Sequence, residues 1–188
     1  MKERIIQAAI EEIGKYGFRK FTMESIAENL GISKKTIYKH FKNKDALISS
    51  AVDFHIELEK QSTLEAVSLP GSWIEKIKRI VSHRAHRTKY WLIPELQRFY
   101  PDEWKKIKGL SALNKEKILD LIKEGIDEGE VHPEMMKQFP IIELLLDNRL
   151  MEAVDYEFSQ NNHISFMQAV EGVIEIILYG IIKREGLN

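Results

Sequence analysis

Between Thr22 and Phe41 the chain reads TMESIAENLGISKKTIYKHF, and this stretch leaves little choice of fold. A first apolar stripe, Ile26, Ala27 and Leu30, stops at Gly31; Ile32 and Ser33 then lead into a second stripe, Ile37 and Phe41, four residues apart. Hydroxyls at Thr22 and Ser33 stand where an N-cap accepts the free amides of a first helical turn. Two helices that cross tightly, at roughly 90 to 120°, need a small residue at the crossing, a turn residue that tolerates positive φ, and an apolar pin on the second helix. Ala27, Gly31 and Ile37 fill those roles in that order. The spacing predicts a helix-turn-helix.

With Ile37 and Phe41 turned inward, the second helix presents Lys34, Lys35, Thr36, Tyr38, Lys39 and His40, none of them acidic. These are donors suited to the phosphates and base edges of double-stranded DNA in the major groove. Lysines on an exposed helix ordinarily only solvate it; their place on the second helix of this motif is what points to DNA. The charge distribution agrees. Residues 1–47 hold ten Lys or Arg against six Asp or Glu, a net of +4, whereas residues 48–188 hold eighteen against twenty-three, a net of −5. One end of the chain is suited to a polyanion and the remainder is not.

From Arg4 to Leu47 the order and spacing of elements resemble the DNA-binding domain of the tetracycline-repressor (TetR) family of bacterial transcription regulators. The likeness is carried by Ile5-Ile6-Gln7-Ala8-Ala9 with Ile13, by Tyr16-Gly17-Phe18, and by Phe21-Thr22-Met23-Glu24-Ser25-Ile26-Ala27. Gly31-Ile32-Ser33, Thr36-Ile37-Tyr38-Lys39-His40-Phe41 and Lys44-Asp45-Ala46-Leu47 complete it. Beyond this run only the helical pattern and the length agree. The resemblance implies a dimer joined by four helices, two per subunit, a fourth helix whose tilt sets the DNA-binding geometry, release by a small molecule, and repression. Thr22, Ser33, Tyr38 and Lys44 are the candidates for positioning phosphates; Lys34, Lys35, Thr36, Lys39 and His40 are those for base edges.

Along the chain, residues 2–16 predict an amphipathic helix with Ile5, Ile6, Ala9, Ile10 and Ile13 inward, ending where Gly14 and Gly17 weaken it. Arg4 near its start is within reach of a phosphate, and Phe18 and Phe21 enter the same core. A long helix begins at Lys44, and its start offers free amides to a phosphate. Ser68-Leu69-Pro70-Gly71-Ser72 breaks it. Trp73 to about Tyr90 predicts the next helix, and a short one follows between Pro94 and Pro101. Asp102 is expected to cap a further helix reaching Ile126, with Gly109 as a bend and Gly129 to Pro133 closing it. No linker of flexible composition interrupts the pattern. The expected fold is all-α: an N-terminal three-helix helix-turn-helix domain, residues 1–47, followed by a larger helical effector-binding and dimerisation domain, residues 48–188.

The last two predicted helices, 139–158 and 164–183, carry apolar residues over more than half their circumference, so they need cover from two directions. A second copy of the chain is the expected cover, with Gly172 and Gly180 allowing close approach. The basic outer face of the Trp73 helix, Lys76, Lys78, Arg79, Arg84, Arg87 and Lys89, is complementary to Glu124, Asp127, Glu128 and Glu130; a second DNA-contact surface is the alternative. Candidates for lining an effector pocket are Trp73, His83, His86, Trp91, Phe99, Tyr100, Trp104 and Asn148. Aromatics at helical spacing are ordinarily core, and as a pocket they would suit an apolar or aromatic compound. His83 and His86 lie three apart, a spacing suited to sharing a metal or an anionic effector, but two histidines on a helix are ordinarily polar residues with no ligand, and that is the expectation.

Several classes fall away. The chain has no cysteine, hence no disulfide, no thiolate metal site and no cysteine nucleophile. It has no phosphate-binding glycine loop and no serine elbow. A helical di-iron site needs Glu three residues before His, and none of the six histidines has one. Neither an enzyme, a metal nor a cofactor is expected. The N-terminus alternates charged and apolar residues, unlike a signal peptide, and the best uncharged apolar run, Ile176 to Ile182, is far short of a membrane span. A cytoplasmic regulator is the expectation. Two alternatives remain: an architectural DNA binder with little sequence preference and no effector, and a helical interaction protein that never meets DNA.

Overall fold

A computed structural model describes residues 1–87, 92–141 and 161–164 and positions 168, 169, 172, 175 and 176; the side chains of residues 84–87 are not described. The described elements are helical, as expected for an all-α fold. In order they are α1 (Lys2–Lys20), α2 (Met23–Leu30), α3 (Lys34–Tyr38), α4 (Lys44–Ser68), α5 (Trp73–Arg87), α6 (Ile93–Phe99) and α7 (Pro101–Asp127), followed by a 3-10 turn at Pro133–Gln138.

The chain divides into two compact units, Met1–Lys60 with Trp91–Leu110, and Gln61–Tyr90 with Ser111–Asn188. The first unit has a core of its own. Ile5, Ala9, Phe21, Ile26 and Ile37 are buried there together with Leu47, Ile48, Ala51, Val52 and Ile56 of α4, Leu96 of α6 and Leu110 of α7. Three short helices cannot enclose so much apolar surface, and the first half of α4 and a later segment of chain complete the cover.

Helix α1 runs past the expected end to Lys20, with a kink at Gly17, whose φ of 85° lies in the left-handed region. The Phe18 amide freed by the kink donates to the Glu95 carboxylate at 2.8 Å. A Cβ on Gly17 would stand 2.8 Å from the same carboxylate, the end of a flexible side chain that can move aside, so it is the left-handed φ that favours glycine there. Asp102 is no cap: α7 starts at Pro101, and Asp102 pairs with Lys105 within its first turn. Gly109 lies inside an unbroken helix.

The second unit packs around Trp73, whose side chain is wholly buried with Ile77, Ile80, Val81, Ile118, Leu121, Ile122 and Val131. The indole N–H donates to Glu130 at 2.7 Å, and the ring lies so close to Gly125 that a Cβ there would stand 2.6 Å from it. Lys76 pairs with Glu124 at 2.9 Å, one of the charge complements expected for α5. Ser72 and Glu75 cap α5 reciprocally, Ser72 N–H to the carboxylate at 2.9 Å and Glu75 N–H to the hydroxyl at 3.4 Å. Arg79 donates to the carbonyls of Leu69 and Pro70, just beyond the end of α4. The two C-terminal helices expected over 139–158 and 164–183 fall mostly outside the described residues. No described helix is long and apolar enough to cross a membrane, and the described residues hold no group of three or more potential metal ligands.

Candidate nucleic-acid interface

The helix-turn-helix is held by bonds between near neighbours. Thr22 and Ser25 form a capping box: the Ser25 amide donates to the Thr22 hydroxyl at 3.0 Å, and the Thr22 amide to the Ser25 hydroxyl at 3.2 Å. Gly31 ends α2 with φ 64°, ψ 35°, the left-handed cap that a β-carbon disfavours, and the Ile32 amide reaches back to Ala27 O at 2.9 Å. Ser33 then caps α3, accepting from the Thr36 amide at 3.2 Å while its hydroxyl meets that of Thr36 at 3.0 Å. Ile37 at 0% and Phe41 at 3% exposure anchor the helix to the core beneath.

On the outer side Lys34, Lys35, Tyr38, Lys39 and His40 are exposed and Thr36 is half-buried. Tyr38 keeps 50% of its surface open, although a tyrosine on a short helix has every incentive to fold into a core. Lys34 forms an ion pair with Glu24 at the start of α2, and that pair holds the Glu24 carboxyl below its ordinary value of 4.5. Lys35, Lys39 and His40 stand outward with it.

Lys44 is used differently from the expectation. Its ammonium donates to Phe21 O at 2.8 Å and Arg19 O at 3.1 Å and lies 4.2 Å from the centre of the Phe21 ring. Burial pushes its pKa below the ordinary lysine value. Lys44 therefore ties the start of α4 to the segment joining α1 and α2, a structural duty that a free phosphate ligand would not have. The start of α4 is also less open than expected, because Asn43 accepts from the Ala46 amide at 2.8 Å. The Asn-x-x-Ala spacing was a readable cap signal. Lys2, whose ammonium stands 5.8 Å from the centre of the Phe41 ring, had no such signal, since 39 positions separate the two.

Five of the expected pocket residues are described, each within its own unit. Trp73 is core, and His83 of the same unit is exposed. Tyr100 and Trp104 pack on the core of the first unit, with Tyr100 5.5 Å from the Phe18 ring, and Phe99 is 41% exposed with the Arg19 guanidinium 5.2 Å from its ring centre. Burial, with the neighbouring Asp45 and Glu95 carboxylates, pushes the Tyr100 phenol above its ordinary pKa. Trp91, Asn148 and the side chain of His86 lie outside the described residues.

Residues 5–51 match the family described as bacterial regulatory proteins, tetR family, and these are the residues that build the geometry above. The match covers about a quarter of the chain. The chain is 42% identical over 66 residues to the HTH-type transcriptional regulator YerO of Bacillus subtilis (strain 168), a match spanning 34% of the chain and 23% of YerO. Similarity to YvaF of the same organism, another HTH-type transcriptional regulator, is 25% over 98% of the chain and 97% of YvaF. Among solved structures, a transcriptional regulator from Saccharomonospora viridis in complex with choline shares the fold with a TM-score of 0.78 at 16% identity, over 97% of this chain and 98% of that one. The relatives that the chain matches are named as transcription regulators, and the family match covers its helix-turn-helix.

Proposed function

We propose that the chain is a TetR-family regulator that works as a homodimeric, one-component repressor in the cytoplasm, binding a palindromic operator and leaving it when a small molecule binds the body. The observation that supports this best is the pairing of an anchored inner stripe, Ile37 and Phe41, with an outer face of Lys35, Tyr38, Lys39 and His40. On this reading Lys34, Lys35, Thr36, Lys39 and His40 meet base edges, Thr22, Ser33 and Tyr38 meet phosphates, and Lys44 acts chiefly by holding α4 in place. Ile141 and Ile176, exposed at 55% and 75%, lie on the segments that the sequence assigns to the dimer seam, where a second copy would cover them. The S. viridis regulator's complex with choline supports a small-molecule effector, expected here to be apolar or aromatic. Such a ligand acts by binding one orientation of α4 better than another, changing the span between two recognition helices.

Selection from a randomised duplex pool followed by footprinting tests the reading. A symmetric footprint is expected, with half-sites roughly 34 to 36 Å apart or a multiple of that span. A footprint without a dyad would favour the architectural binder, and loss of all salt-dependent binding would favour the interaction protein. Lys35→Ala should alter which bases are preferred, by about 1 to 3 kcal/mol of discrimination at one position. Equal loss at every site would remove Lys35 from base readout.

A further inference from the structure

The outer face of the helix-turn-helix carries a carboxylate that a surface built only to attract DNA would lack. Glu24 stands in the first turn of α2 and Lys34 at the first position of α3; the two side chains form an ion pair while each keeps about half of its surface open, 49% and 51%. A pair this exposed is screened by water and adds little to folding, so the need for a stable fold does not account for it. Its consequence for binding is larger. While Glu24 holds Lys34, one of the cations next to the recognition helix is neutralised, and a negative charge stands where phosphates approach.

We propose that Glu24 is a specificity-determining residue, a charge filter that withholds Lys34 from DNA unless the sequence offers the carboxylate a partner of its own. The inference rests on the DNA-binding reading above. On an arbitrary duplex, Lys34 can reach a phosphate only by leaving Glu24 unpaired beside the polyanion, and this penalises every site alike. On the correct operator an exposed carboxylate accepts a hydrogen bond from a base amine, the cytosine N4 group being the usual partner. Lys34 is then released to its phosphate or base edge without that penalty. Discrimination thus arises from a repulsive element as well as an attractive one.

The test compares wild-type protein, Glu24→Gln and the double variant Glu24→Gln/Lys34→Ala on two probes: a duplex selected by the wild-type protein from a randomised pool, and a scrambled duplex of the same composition. Glu24→Gln is expected to bind the scrambled duplex more tightly, with a salt slope steeper by roughly 0.9. Its affinity for the selected duplex should gain less or fall, so the ratio between the two narrows, and Lys34→Ala in the same background should abolish the gain. Thermal unfolding should hardly move. Equal changes on both duplexes, or an unchanged salt slope, would overturn the filter while leaving DNA binding intact. A wild-type protein that binds neither duplex overturns the DNA-binding reading itself, and the filter with it.

Discussion

The capping side chains of the helix-turn-helix bond to neighbours three residues away, whereas three bonds of the second unit reach across 48 to 57 residues. Thr22 with Ser25, Ser33 with Thr36 and Asn43 with Ala46 stop and start helices and leave the outer faces open. Thr63 with Asn114 at 2.8 Å, Trp73 with Glu130 and Lys76 with Glu124 instead pin one helix to another, the first of these wholly inside. The difference separates two tasks. A surface that must meet a charged partner needs its donors free, so its framework is fixed by caps and an apolar underside. A body with no such duty spends its polar groups on long-range specification.

The largest test of that contrast is Trp73→Ala. Loss of a fully buried indole should cost about 3 to 5 kcal/mol, read as a fall in urea midpoint, and an unchanged midpoint would remove Trp73 as the hub of the second unit. Gly17→Ala probes a place where the first unit relies on a distant residue, and its left-handed backbone predicts about 1 to 3 kcal/mol of destabilisation. Milder is Lys44→Met, which keeps the aliphatic stem and deletes two hydrogen bonds to carbonyls, at about 1 to 2 kcal/mol. It should weaken binding to all duplexes alike, and a change in base preference would return Lys44 to the interface.

The smallest effect is a pH dependence. Lys34 lowers the folded pKa of Glu24 below its ordinary 4.5, so the pair's contribution is fully present above that value and is lost as pH falls through the folded pKa. Side-chain NMR titration should show the Glu24 midpoint rising towards 4.5 in Lys34→Ala. A midpoint that stays where it was would mean that the pair does not persist in solution.

The helix-turn-helix was legible in the residues alone, down to its caps, its turn glycine and the outward set around Tyr38. Each of these features is settled within about five residues, and local chemistry of that kind leaves a local pattern. The body was legible only as helices. Whether a given aromatic there is core or surface was not legible, because an aromatic at helical spacing looks the same whichever side it faces: Trp73 is buried and Phe99 exposed. Three decisions belonged to tertiary structure: Glu95 seated against Gly17, Lys44 drawn onto Phe21, and the first core completed by α4, α6 and α7. In the first two the partners lie 23 to 78 positions apart, and contacts across such distances are decided by which surfaces remain to be buried once the helices exist, a choice that no short stretch of chain records.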